Sequence, residues 1–284
     1  MTRLVLTIIL VTAGLLCGAP LPIRVVAANL TSDNHQTYSP DNTNHSNPEG
    51  AGARILKGLN PDVVLIQEFT TTIPTRQWVN QTFGSEFDFA REENKQLPNG
   101  IISRFKIASS GSWEDRVVGN RGFSWARLQL PGQRDLWVVS VHLHAKGATS
   151  RTEQAKALAK FTRRKIPDGA FLIIGGDLNT RATDEECFHH LARVVSIPPN
   201  PPADADGIIH TNAPRNRPYD WVLASPELDR HAVPVELAGQ RFTHGLVFDS
   251  RVFEPLEKVP PVQRGDSGLR FMQHMAVVRD FRIP

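Results

Sequence analysis

Two cysteines, Cys17 and Cys187, are all that 284 residues supply, which excludes a fold held by several disulfides. Charge of one sign is equally scarce, with 32 Lys and Arg against 29 Asp and Glu and a net charge of +3. The pI near 9.0 leaves only a mild bias toward anionic partners. No Gly, Ser and Pro-rich linker divides the chain, and no fixed-period repeat recurs. Aromatic residues suited to membrane insertion are sparse; Trp113 and Phe123, in turn-rich stretches, are the two that stand out, and neither makes a convincing anchor. With 40% hydrophobic and 21% charged residues, the composition instead fits an ordinary folded protein with a sizeable core. Disorder, collagen and coiled coil are excluded.

A single long apolar run, Leu4 through Leu16, follows Arg3 and leads to Cys17-Gly18-Ala19. It is shorter than the roughly 20 apolar residues of a confident spanning helix and reads as a signal peptide over residues 1–19. Leu16 before Cys17 argues against a lipid-anchored cysteine. The expectation is a secreted or periplasmic monomer with one domain over residues 23–284. Removal of the leader leaves Cys187 as the one cysteine, read as a small buried hydrophobe.

Apolar runs rich in Val and Ile alternate with amphipathic stretches. Strands are expected at 23–29, 62–68, 100–103, 122–130, 136–141, 171–174, 219–224 and 275–282, with an antiparallel middle third. Helices are expected at 49–59, 73–83 and 151–165, and from Thr183 as N-cap. A polar loop is expected over 31–48. Within 151–165, Ala155, Ala157, Leu158 and Phe161 are grouped as the apolar face opposite Lys156, Lys160, Arg163 and Arg164. This mixture predicts an α/β or α+β fold with two sheets packed together and covered by helices.

Several of these buried runs end in polar residues that are costly to bury without partners. Asn29 ends the first, Gln67-Glu68 the second, His142 and His144 the strand near 140, and Asp177-Leu178-Asn179 the strand at 171; Asp220 and His274 begin the last two. Gathered at one rim, they supply the chemistry of metal-assisted phosphate ester hydrolysis. A hard cation such as Mg²⁺ takes one or two carboxylates, and Glu68 suits it. An attacking water needs a base, and His274 oriented by Asp220 suits that role. Asn29 and Asn179 can hold phosphate oxygens or the metal, and His142 can donate to the phosphate as charge develops.

Taken together, Asn29, Gln67-Glu68, His142-Leu143, Gly176-Asp177-Leu178-Asn179, Tyr219-Asp220-Trp221-Val222-Leu223 and Gln273-His274 resemble the motifs of the endonuclease/exonuclease/phosphatase superfamily. The resemblance covers essentially all of 23–283. It implies a four-layer αββα sandwich of two mixed sheets flanked by helices, and Mg²⁺-dependent phosphoester hydrolysis, with Mn²⁺ or Ca²⁺ as alternatives. It further implies Glu68 as metal ligand with Asn29 beside it. Asp177 then positions the attacking water or assists the metal, Asn179 contacts phosphate, His274 with Asp220 forms one catalytic pair, and His142 is the first histidine. Asn99 to Arg104 resembles the family's central strand, and Arg151 with Gln154 its helix after the first histidine. Two departures stand out: Met272-Gln273-His274 replaces the usual Ser-Asp-His, removing a negative charge, and Ala28 replaces a common Trp. Asp266 is a candidate substitute for the missing acid.

Each residue alone has a commoner structural reading, such as a capping Asp or a satisfied sheet histidine; the ordered set carries the inference. His144 is read as a solvated rim residue, and His35 and His45 are assigned nothing. The basic face of the 151–165 helix is read as solvated ahead of a phosphate-backbone contact. The expected function is an exported Mg²⁺-dependent phosphodiesterase acting on a phosphoester, DNA or RNA favoured, with no protein partner evident. Alternatives are a sphingomyelinase-type enzyme acting on membrane lipid, an inositol or nucleotide phosphatase, and a noncatalytic binding protein on the same fold.

Overall fold

The computed structural model describes residues 20–30, 50–71, 73–269 and 272–284. The expected leader, the expected loop at 31–48, His35 and His45 lie outside them. Strands occupy Leu21–Ala28 (β1), Val63–Ile66 (β2), Asp88–Arg91 (β3), Gly100–Ser103 (β4), Ile107–Trp113 (β5), Phe123–Leu128 (β6), Leu136–His142 (β7), Phe171–Asp177 (β8), Asp220–Ala224 (β9), Ala232–Val233 (β10), Val235–Leu237 (β11), Gln240–Phe242 (β12), Leu246–Phe248 (β13) and Ala276–Ile283 (β14). Helices occupy Ala51–Leu59 (α1), Thr75–Phe83 (α2), Ala148–Lys165 (α3), Glu186–Leu191 (α4) and Pro226–Asp229 (α5).

Seven strands form one sheet in the order β10-β14-β1-β2-β4-β3 with β13 beside β14, and five form another in the order β5-β6-β7-β8-β9. Each sheet is antiparallel apart from one parallel pair, β1 with β2 and β7 with β8. A parallel pair needs a long crossover, and α1 and α3 lie on those two connections.

Both faces of the central strands are covered, so they read as continuous Val, Ile and Leu. In β1 the alternation sorts Ile23, Val25 and Ala27 toward the second sheet, where they pack with Val138, Ile173 and Val222. Val26 and Ala28 point the other way, onto Ile55, Leu56 and Trp78 of α1 and α2. Across the molecule, Val139, Val141, Ile174 and Leu223 pack outward against Leu158, Phe188 and Leu191 of α3 and α4. Three apolar seams thus define four layers, helix, sheet, sheet and helix. Each fully buried Val or Leu in them contributes about 1.5–3 kcal/mol.

The sheets approach closely where the sequence has Gly175-Gly176. A Cβ on Gly175 falls 2.8 Å from Leu65 Cδ1 of the opposite sheet, and one on Gly176, at φ +127°, lies against Gln67 Nε2. Gln67 donates from Nε2 to Ser140 Oγ at 2.8 Å, and Ser140 donates on to Ile66 O at 3.0 Å. Its role is therefore a polar tie between the sheets.

Two expectations are corrected, on α3 and α4, and a third, that Trp113 and Phe123 make no convincing anchor, is borne out. The buried stripe of α3 is Arg151, Gln154, Ala155, Leu158, Ala159 and Thr162, with Ala157 and Phe161 only half-buried. Arg151 and Gln154 are buried because both are paired, Arg151 with Glu185 at 2.7 Å and Gln154 with Asp115 at 2.5 Å. Helix α4 starts at Glu186 and not at Thr183, because the Glu185 carboxylate turns back to Arg151 and to the Arg181 amide. Trp113 and Phe123 are buried strand residues, so they offer no membrane anchor. Among the described residues, no helix is long and apolar enough to cross a membrane.

Candidate active site

The two parallel pairs fix the site. β1 and β2 run side by side and end at Asn29 and Glu68; β7 and β8 do the same in the second sheet and end at His142 and Asp177. β9, antiparallel to β8, begins there with Asp220, and His274 precedes β14, antiparallel to β1. All seven residues singled out in the sequence converge on this rim, each only 1–6% exposed: Asn29, Glu68, His142, Asp177, Asn179, Asp220 and His274.

Register makes the arrangement tight. His142 lies opposite Asp177, and Asp177 opposite Asp220. Like charges directly across a ladder oppose folding. Asn29 reaches across from the first sheet, its Nδ2 donating to Asp177 Oδ2 at 2.9 Å and to Glu68 Oε1 at 3.4 Å. His142 Nε2 lies 3.3 Å from the same Asp177 oxygen. His274 Nδ1 lies 2.8 Å from Asp220 Oδ2, and its Nε2 lies 3.7 Å from Asp177 Oδ2. Asn179 holds the turn after β8 through its own amide to Asp177 Oδ1 at 2.9 Å and its Nδ2 to Leu143 O at 3.1 Å. Glu68 and Asn179 both adopt left-handed backbone, at φ +50° and +52°. Asn tolerates that region, whereas for Glu it is strain of the kind found at functional sites.

The electrostatics separate the two histidines. Burial pushes His142 down to about 3, with Arg121 and His274 adding to the fall, so its ring is neutral. Burial also disfavours charge on His274, but Asp220, Asp177 and Glu68 outweigh it and raise the imidazole to about 9. Burial raises Asp220, and the neighbouring Asp177 charge adds to that.

Two contributors escaped the sequence reading, Arg121 and Thr211, and two that it named only within motifs, Tyr219 and Gln154, gain a specific contact. Arg121, buried, donates to His142 O at 2.6 Å and Leu143 O at 3.0 Å, holding the end of β7. Thr211 donates to Asp220 Oδ2 at 2.7 Å, fixing the carboxylate that faces His274. Tyr219 stacks obliquely on His274 with centroids 5.5 Å apart. Gln154 accepts from the His144 amide at 2.7 Å, tying α3 to the loop after β7. His144, expected on a solvated rim, turns its Nδ1 to the Gly147 amide at 3.2 Å and shapes that loop. Asp266 does not replace the missing acid: it is buried and paired with Arg54 at 2.5 Å. Gln273 is exposed beside His274.

The donor set fits a divalent cation. One ligand atom each from Asp177, Asp220 and His274 lies within 4.8 Å of the others. Asn29 Oδ1 and Asp220 Oδ1 are buried without a hydrogen-bond partner, a costly state that a cation or its waters relieve.

Two mixed sheets between helices, with carboxylates, amides and imidazoles from both sheets meeting at one rim, define a phosphoester-hydrolase type of sandwich. The model of the endonuclease/exonuclease/phosphatase family matches residues 42–242, and the chain belongs to that family. No curated protein matches it in sequence. Among solved structures, a truncated TDP2 from Caenorhabditis elegans superposes with a TM-score of 0.61 at 17% identity, covering 92% of this chain and 97% of that one. An endonuclease/exonuclease/phosphatase from Bacteroides vulgatus gives 0.62 at 12% identity, covering 93% and 100%. Beta toxin 275-280 from Staphylococcus aureus gives 0.55 at 14% identity, covering 90% and 99%. At these identities the likeness is one of fold.

Proposed function

We propose that the protein is an Mg²⁺-dependent phosphodiesterase and that its favoured substrate is a nucleic acid. The observation that carries this reading is Asp177, placed by two sheets among Asn29, His142, His274 and a second carboxylate in register, with no arginine or lysine among the described residues bonded to it. Glu68, Asn29 and Asp177 are the groups assigned to the cation. When bound, it supplies charge neutralisation at the phosphate and polarisation of its oxygens.

The side chains then divide the remaining work. His142, neutral and held by Arg121 through its backbone, donates a hydrogen bond to a phosphate oxygen. Asn179, pinned to Leu143 O, offers an amide there without adding negative charge. Asp220, set by Thr211, orients His274 as the base for the attacking water. Two of the charges that keep the His274 proton in place belong to Asp177 and Glu68. Their neutralisation lowers the imidazole toward the range in which it accepts a proton. Export as a secreted or periplasmic monomer is part of the same proposal.

The test is nicking of supercoiled plasmid by the purified chain in Mg²⁺ or chelator, beside His274→Ala. Metal-dependent nicking lost in the variant supports the reading. Hydrolysis of sphingomyelin liposomes with plasmid left intact selects a lipid substrate, and a folded wild-type chain inert toward both sinks the reading.

A further inference from the structure

A cavity of about 650 Å³ opens beside His274, lined among others by Arg217, Tyr219, Arg251, Met272 and Gln273. No carboxylate is among its described lining residues. Arg251 is committed to Asp249, through Nε at 2.9 Å and Nη2 at 2.7 Å. Like Arg91 and Arg121, which donate to backbone carbonyls, Arg217 has no carboxylate partner among the described residues. Arg24, Arg54, Arg151, Arg215 and Arg279 each bond a carboxylate. Arg217 instead donates to Tyr219 Oη at 3.3 Å. Its backbone is fixed, since its amide donates to Asn212 Oδ1 at 2.8 Å and its carbonyl accepts from Thr211 N at 2.9 Å. The guanidinium therefore stands one tyrosine ring away from His274, on the turn that also carries the Thr211 hydroxyl bonded to Asp220.

We propose that this cavity receives a second anionic group of the substrate, the phosphate neighbouring the ester that is cleaved, and that Arg217 reads it. The inference rests on the phosphodiesterase reading and narrows its substrate to phosphodiesters flanked by another phosphate. A guanidinium with no carboxylate partner in such a cavity is matched by a phosphate, to which it donates two parallel hydrogen bonds. Gln273 has a place in this account. An acid there faces the same cavity and offsets Arg217, whereas the amide leaves the cationic field intact. The same field opposes a quaternary ammonium headgroup, which has no carboxylate to meet in the cavity.

Thymidine 3′,5′-bisphosphate and the two thymidine monophosphates are the probes, titrated by calorimetry into wild type, Arg217→Gln and Arg217→Lys, with circular dichroism as the folding control. Wild type is expected to bind the bisphosphate about tenfold more tightly than either monophosphate. Arg217→Gln is expected to bring the ratio to within about twofold, and Arg217→Lys to restore much of it. Equal wild-type affinities, or a folded Arg217→Gln that keeps the preference, overturn the inference. Dithymidylate hydrolysis in Mg²⁺ is the second readout: a chain that prefers the bisphosphate but cleaves no phosphodiester overturns the catalytic reading, not the anion site.

Discussion

Two of the groups of buried charge in this fold are built on opposite terms. Asp204, Arg215, Asp249 and Arg251 form a balanced set: Arg215 bridges Asp204 at 2.5 Å and Asp249 at 2.6 Å, and Arg251 closes on Asp249 at 2.7 Å. At the rim, Asp177 and Asp220 face a single histidine of raised pKa, His274; His142 is neutral, Arg121 is turned to two carbonyls, and Asn29 Oδ1, Asp220 Oδ1 and His142 Nδ1 are buried without partners. The chain satisfies buried charge where the purpose is cohesion. Where charge is only partly matched, the proposed function gives the mismatch a purpose, the binding of a cation and a phosphate, held at a cost in stability.

The sharpest way to break this contrast is to remove the partly matched charge. Asp177→Asn is expected to lower Mg²⁺-dependent hydrolysis by about 1,000-fold, while the melting temperature without metal stays level or rises. A large fall in melting temperature would falsify the contrast. The reverse holds for the balanced set. Asp249→Ala strands Arg251 and leaves Arg215 with Asp204 alone, and chemical denaturation should show a loss of about 3 kcal/mol with per-molecule activity of the folded fraction kept.

Thr211 tests the border between the two kinds of cluster. Thr211→Val is expected to reduce kcat/KM about tenfold, and Thr211→Ser to keep it, since only the hydroxyl touches Asp220. The balanced cluster also has a pH signature. Burial alone raises the Asp249 carboxyl, but hydrogen bonds from Arg251 and Arg215 hold it below its ordinary 3.8. Its folded value lies below the unfolded one, so its contribution is present above about pH 4 and lost as pH falls through the lowered value. Acid titration of stability should be shallower in Asp249→Asn. The smallest effect expected is at Cys187, whose thiol burial pushes up to about 12. Ellman's reagent should leave it unmodified at pH 8 in the native chain and label it in urea; native labelling contradicts its burial.

The rim was legible because its residues follow directly on apolar runs, as Asn29 follows Ala28 and Asp177 follows Ile174-Gly175-Gly176. Strand ends are where a sheet presents side chains, so residue type plus position is informative. Arg121 and Thr211 were not, because each acts through a contact made only by the folded chain and neither has a sequence neighbour that marks it. Pattern reading also failed where pairing overrides hydropathy. Arg151 and Gln154 look like exposed helix positions, yet Glu185, Asp115 and the His144 backbone bury them. β3 and β5, polar in sequence as Asp88–Arg91 and Ile107–Trp113, lie at sheet edges and carry too little alternation to be read.

Asn29, Glu68 and His274 belong to one sheet, and His142, Asp177 and Asp220 to the other. A chain that has formed either sheet alone therefore owns only half a site, and nothing in that half amounts to a weak version of the whole. On the proposed function, hydrolytic capacity therefore requires that Gln67 meet Ser140 and that the glycines let the layers close. The molecule thus reports on its own assembly: partly folded copies, with their apolar sheet faces open, are silent toward substrate, and activity counts only finished sandwiches.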